Sequence, residues 1–174
     1  MMFIAKDAAD AFISGYTHIM AEIHGPSPAK KKMTVVEVLA IAREKYLANP
    51  SLLDGALRAL HARSITIPPE VVSAVRGIEV KQWIYLKDTR IHSIFLDPSG
   101  AAAYGVLGLT QGLREVLGKS GAAIETGLMR YHGRFVIDGV ITRVVWLGPG
   151  YRKSFAELFA GIKLRGAFRK TGES

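Results

Sequence analysis

Up to about residue 78 the apolar positions repeat with a helical period, and from Glu79 onward they alternate as in a strand. Ile4, Ala8, Phe12, Ile19, Met20 and Ile23 share one stripe, which predicts an amphipathic first helix. His24-Gly25-Pro26 stops it, since glycine takes the left-handed cap and proline cannot continue the hydrogen-bond ladder. A linker from Gly25 to Met33 carries Lys30, Lys31 and Lys32. Thr34 and Glu37 stand at capping-box spacing before a second helix, whose expected buried side is Val38, Leu39, Ile41, Ala42 and Leu47. Asn49 as cap and Pro50 as first helical residue predict a third, with the stripe Leu52, Leu53, Ala56, Leu57 and Leu60. Pro68-Pro69 opens a short fourth helix through Val71, Val72 and Val75.

Val80 to Lys87 puts Val80, Gln82, Ile84 and Leu86 on one face and Lys81, Trp83, Tyr85 and Lys87 on the other. Both faces hold large apolar groups, so this strand is expected to be buried on both sides. Lys87-Asp88-Thr89-Arg90 reads as a hairpin loop returning along Ile91 to Leu96, and Asp97-Pro98-Ser99-Gly100 as a turn. A third strand over Tyr104 to Leu109 and a short helix over Gln111 to Leu117 follow. Strands over Ile124 to Tyr131, Arg134 to Ile137 and Val140 to Leu147 are joined by His132-Gly133 and by a type I′ turn at Asp138-Gly139. Gly148-Pro149-Gly150 breaks this meander. Ser154 with Glu157 caps a last helix with the stripe Phe155, Leu158, Phe159 and Ile162, and the segment from Arg165 to Lys170 is expected to fray.

The layout defines an α+β class: a helical N-terminal part packed on a mainly antiparallel sheet of five to six strands, closed by a C-terminal amphipathic helix. The chain reads as a single domain over 1–174, with 1–78 and 79–174 as its natural sub-division.

Charge adds a functional direction. The chain has 23 Lys and Arg against 15 Asp and Glu, a net +8. Half of that excess lies in the last 24 residues, where Arg152, Lys153, Lys163, Arg165, Arg169 and Lys170 face only Glu157 and Glu173. Clustered positive charge attracts phosphate or acidic surfaces. The absence of cysteine removes disulfides, thiolate nucleophiles and Cys-ligated zinc. No stretch reaches the roughly 18 apolar residues of a membrane span. Lys6, Asp7 and Asp10 interrupt any signal-peptide pattern, so a soluble, cytoplasmic protein is expected.

Several tempting motifs do not hold. Gly118-Lys119-Ser120 lacks the glycine that a P-loop needs at position 113, which is Leu, and reads as a helix end capped by Gly118. His18, Glu22 and His24 have metal-ligand spacing without a further ligand set, so no metal and no cofactor are expected. Three helices followed by a hairpin echo a winged-helix domain, but its recognition helix would carry only Arg76 as a base. Trp83 and Tyr85 beside Lys81 suit stacking on a single strand, although double burial is the stronger reading. His92 with Asp88, Asp97 or Glu125 is an acid–base combination that converging strand ends can form, although a histidine paired on a half-buried sheet surface is the stronger reading.

The leading expectation is a non-enzymatic nucleic-acid-binding module that uses Arg152, Lys153, Lys163, Arg165, Arg169 and Lys170, with Lys30, Lys31 and Lys32 as a second contact. Its rival is a protein–protein adaptor or homo-oligomeric subunit whose charge serves solubility. A small enzyme around His92 comes third.

Overall fold

The computed structural model describes residues 2–26 and 32–170. Four helices come first: α1 (Lys6–His24), α2 (Val35–Ala48), α3 (Leu52–Ala62) and α4 (Pro69–Arg76). Asp7–Arg76 forms one compact unit by itself. Its core takes Phe12, Tyr16, Ile19 and Met20 from α1, Leu53, Ala56 and Leu60 from α3, and Val71 and Val75 from α4. The capping box at α2 is formed: the Thr34 N–H donates to Glu37 Oε2 at 2.7 Å, and the Glu37 N–H donates to Thr34 Oγ1 at 3.2 Å.

Two details of this unit differ from the periodicity. The face of α2 that is buried is Ala42, Arg43 and Tyr46, while Ile41 and Leu47 stay exposed. Tyr46 turns inward because its hydroxyl reaches the Val75 carbonyl at 3.2 Å, giving an aromatic body to the core and a partner to its polar tip. Helix α3 begins at Leu52; Asn49 ends α2 and accepts a hydrogen bond from Ser51 Oγ at 2.6 Å, so Pro50 sits in the turn between the helices.

The second unit comprises the chain from Gly77 on, together with the N-terminal segment up to Lys6. It contains β1 (Glu79–Asp88), β2 (Ser93–Leu96), β3 (Ala103–Leu107), α5 (Leu113–Leu117), β4 (Ala122–Tyr131), β5 (Arg134–Trp146), α6 (Pro149–Leu164) and β6 (Phe168–Arg169). The class is α+β, with six strands in one sheet among the described residues. Strand β1 pairs antiparallel with β2 and β4, β2 with β3, and β4 with β5. The parallel pairing of β3 with β5 closes the ring in the order β1-β2-β3-β5-β4. Strands β1 to β3 are consecutive hairpin partners and β4 returns beside β1, a Greek key closed into a barrel.

The barrel explains the two-sided burial of β1. Trp83 and Tyr85 point inward to a cluster with Phe95, Val106, Leu113, Ile124, Leu128, Phe135 and Ile137. Ile84 and Leu86 point outward to Ile94, Leu96, Phe159 and Ile162, with Phe155 and Leu158 packed alongside. Helix α6 thus covers the outer face of β1, β2 and β3 with the predicted stripe. It starts at Pro149, with Gly148 as its cap and proline in the first turn, where a missing N–H costs nothing; Ser154 lies inside the helix and donates to the Gly150 carbonyl at 3.1 Å.

Two further expectations are corrected. Asp138-Gly139 does not end a strand: β5 runs through it, and Thr126↔Ile141 and Leu128↔Ile137 set four steps of β5 against two of β4. Gly139, at φ 82°, supplies the left-handed residue of this bulge. Asp138 is buried, and its Oδ1 accepts from Gly127 N at 3.2 Å, Val140 N at 3.0 Å and Thr126 Oγ1 at 3.3 Å. The turn signal is a bulge in which the buried carboxylate has donors from Gly127, Val140 and Thr126. The segment after Arg165 does not fray either: Phe168 and Arg169 form β6, parallel to β3 opposite Ala103 and Tyr104.

Candidate nucleic-acid interface

The charge is divided unequally between the two units. The barrel unit carries 15 Lys and Arg against 8 Asp and Glu, and the helical unit 8 against 7, so +7 of the net +8 belongs to the barrel unit. At one end of the barrel Asp88, Thr89 and Arg90 form a recess of about 740 Å³ with Arg114, Glu115 and Gly118 from the α5 region. The other end is where β1 begins. There Lys81 and Trp83 point inward from β1, Tyr104 joins from β3, Arg130 from the end of β4 and Phe135 from the start of β5. Tyr104 meets Trp83 edge-on at 5.6 Å between ring centroids and Phe135 at 5.0 Å.

A cation lies over each of these three rings. Lys81 Nζ is 4.2 Å from the Trp83 ring, the Arg130 guanidinium 5.2 Å from Phe135, and the Arg169 guanidinium 5.8 Å from Tyr104. Lys81 is neutralised locally, with its ammonium 2.7 Å from Glu79 and 2.5 Å from Asp97. Burial works against its charge, but the two carboxylates outweigh it and raise its pKa. Arg130 and Arg169 make no ion pair among the described residues. A guanidinium that is not committed to a carboxylate has N–H groups to offer for two-pronged contact with a phosphate. Arg130 and Arg169 lie over rings that touch each other, Phe135 and Tyr104.

The nine basic residues singled out from the sequence are distributed as follows. Arg152 is spent on the scaffold, donating through Nε to the Leu147 carbonyl (3.2 Å) and through Nη2 to the Ser120 carbonyl (3.1 Å). Arg165 likewise donates to the Gly100 carbonyl at 2.8 Å. Lys153 is exposed on α6, Lys163 lies 4.9 Å from the Phe159 ring, and Lys170 lies 5.9 Å from the Phe168 ring. Of these, Arg169 sits on the barrel mouth, fixed there by β6. Lys32 is exposed ahead of α2 in the helical unit; Lys30 and Lys31 lie outside the described residues. Arg130 was missed by counting charge along the chain. Its available signal was the run Arg130-Tyr131-His132-Gly133-Arg134, in which two bases bracket an aromatic turn.

The other candidates are accounted for locally. Trp83 and Tyr85 are wholly buried and offer no stacking platform. The β1–β2 hairpin is part of the barrel rather than a separate wing, and Arg76, the one base of α4, ion-pairs with Asp54 at 2.5 Å. Gly118 caps α5 in the left-handed conformation, while Lys119 lies 4.4 Å from the Trp146 ring. His18 bonds the Ser14 carbonyl, Glu22 pairs with Arg63, and no group of three or more His, Asp or Glu among the described residues is placed to hold a metal ion.

His92 is buried against Gly105 and the Phe168 ring. Thr89 Oγ1 donates to the His92 carbonyl and lies 2.8 Å from Nδ1, so the network is satisfied when Nδ1 carries the proton, and Nε2 has no partner. Burial, and secondarily the charge of Lys170, lower its pKa. Asp88 Oδ1 instead accepts from Tyr85 and Ser93, Asp97 pairs with Lys81, and Glu125 accepts from Thr142 at 2.5 Å. Each carboxylate has its own donors. The recess that Asp88 lines does not include His92.

No helix among the described residues is long and apolar enough to cross a membrane. No protein-family model matches the chain, and no similar curated protein or solved structure was found.

Proposed function

We propose that this protein is a non-enzymatic nucleic-acid-binding module whose barrel mouth holds the phosphate backbone. The observation that carries the reading is the pair of guanidiniums, Arg130 and Arg169, each over one of two touching rings and without acidic partners among the described residues, on a unit of net charge +7. Lys170 and Lys163 extend the same charge. A five-stranded Greek-key barrel is also the architecture of the oligonucleotide- and oligosaccharide-binding fold. That is an analogy of architecture, and function rests on the site. Barrels of that type commonly present the outer face of their second and third strands; here α6 covers that face, while Arg130 and Arg169 at the mouth are exposed.

The test is a fluorescence-anisotropy titration with mixed-sequence single- and double-stranded oligonucleotides over a range of salt. Binding should weaken linearly on a log–log plot, and Arg130→Ala and Arg169→Ala should each reduce that slope by about 1. Truncation after Leu164 should weaken binding through the loss of Arg169 and Lys170. Affinity unchanged by both substitutions sinks the mouth as the contact; no binding at low salt sinks the whole reading. The adaptor reading draws support from a separate feature, the apolar end of β5.

A further inference from the structure

Strand β5 is paired on both edges only near its start. Strand β3 reaches it at Phe135 and Val136, whereas β4 accompanies it to Trp146. From Thr142 to Trp146 the second edge has no strand partner among the described residues. The Leu147 N–H donates to the Gly121 carbonyl at 3.0 Å, and Ala122 to Glu125 stay in regular register with Trp146 to Arg143. Antiparallel pairing alternates, so Arg143 and Val145 turn their backbone groups to β4, and Val144 and Trp146 turn theirs to the open edge. The side chains along it are unusually apolar for such an edge: Val144 is 36% exposed, Val145 43% and Trp146 39%. Unprotected edges of this kind pair with other chains unless something blunts them.

We infer that the open edge of β5 at Val144 and Trp146 is a docking site for an extended acidic peptide, which adds to the sheet as a further strand. Charge selects this occupant. Arg143 lies in the strand, Lys119 is held over Trp146, and Arg152 is tied to the Leu147 and Ser120 carbonyls beside the strand end, with Lys153 next to it. Glu125 on the paired strand stands opposite Arg143 and accepts from Thr142, a neutral donor that leaves its charge. The four cations Lys119, Arg143, Arg152 and Lys153 against this one carboxylate leave a net +3 around the edge. A second copy of this chain would bring those cations against their own counterparts, whereas a strand carrying Glu or Asp at alternate positions would set them on one face, against Lys119 over Trp146 or, in the other register, against Arg143, while its backbone bonds Val144 and Trp146.

The probe is a fluorescein-labelled octapeptide of alternating Glu and Val, with alternating Lys and Val as control, measured by anisotropy and by amide hydrogen exchange of the full chain. At saturating acidic peptide the Val144 and Trp146 amides should exchange at least about tenfold more slowly, while those of Arg143 and Val145, already bonded to β4, should not change. Val144→Pro removes an outward N–H without touching the β4 ladder and should abolish binding. The charge reversal Lys119→Glu with Arg143→Glu should transfer preference to the lysine peptide, and it carries the test should the proline variant fail to fold. Arg130→Ala with Arg169→Ala should leave peptide binding intact, so this site and the nucleic-acid reading stand or fall separately. Unchanged exchange at Val144 and Trp146, or equal binding of both peptides, overturns the inference. So does a doubling of mass that Val144→Pro reverses, or stronger protection of the same amides by a single-stranded oligonucleotide.

Discussion

Substituting Gly105 by alanine probes how β2 and β3 are held together. A Cβ on Gly105 would stand 1.8 Å from His92 Cδ2 and 2.3 Å from Nε2, against 3.4–4 Å for an ordinary contact. The imidazole must therefore retreat by about 1.5 Å or more, and the Phe168 ring, 5.8 Å away by centroid, stands beside it. Overpacking of this kind costs about 1–3 kcal/mol, and loss of the contact between Nδ1 and Thr89 adds about 1 kcal/mol. Restricting the unfolded chain by replacing glycine returns roughly 0.5–1 kcal/mol. Gly105→Ala should thus destabilise the barrel unit by about 2–3 kcal/mol. Both tryptophans, Trp83 and Trp146, lie in that unit, so urea unfolding followed by tryptophan fluorescence reports on it. His92→Ala alone should cost about 1–2 kcal/mol through lost packing. In the double variant the new methyl enters the vacated space, so its stability should be close to that of His92→Ala, a favourable coupling of about 2 kcal/mol. Additivity within about 0.5 kcal/mol would refute the claim that the imidazole occupies the space glycine leaves open.

Asp138→Ala strips the side-chain acceptor from the buried Gly127 and Val140 N–H groups at once, Thr126 Oγ1 keeping the Val140 carbonyl at 3.0 Å, and should cost about 3 kcal/mol, read from the shift in urea midpoint. Asp97 shows a pH signature. Burial raises its pKa, but hydrogen bonds from Lys81 and Ser99 outweigh this and bring it from 3.8 to about 2. Between those values the unfolded chain binds more protons, so stability is present above pH 3.8 and is lost as pH falls towards 2. The contribution is about 1–2 kcal/mol once partial solvent screening of Lys81 is allowed for. Asp97→Asn should be less stable than the parent at pH 7 and equal to it at pH 2 by thermal melting. His92 loses stability on acidification for the complementary reason: its folded pKa lies below 6.5, so stability declines as pH drops beneath that value, and His92→Gln should flatten this part of the profile.

Much of the fold is legible locally. The stripes Phe12–Ile19–Met20, Leu53–Ala56–Leu60 and Phe159–Ile162 are buried as their spacing implies, the Thr34–Glu37 box is formed, and the two faces of β1 are both covered. These features depend on residues within a turn or two of one another, where backbone geometry alone decides which side chains share a face. Barrel closure is of another kind. It depends on β3 meeting β5 in parallel across the α5 connection, a pairing between segments about thirty residues apart that no periodicity records. Closure also explains the misread elements. Asp138-Gly139 is a bulge in a barrel strand, where the buried carboxylate has donors from Gly127, Val140 and Thr126, and Phe168-Arg169 is a strand because β3 presents an unpaired edge beside it. The site divides the same way. Composition revealed that the C-terminal end is basic, and Arg169 was among the residues it marked. Which bases stay free followed from neighbours distant in sequence: Arg152 and Arg165 met carbonyls, Lys81 met two carboxylates, and Arg130 and Arg169 came to rest on rings that touch only because the barrel closes.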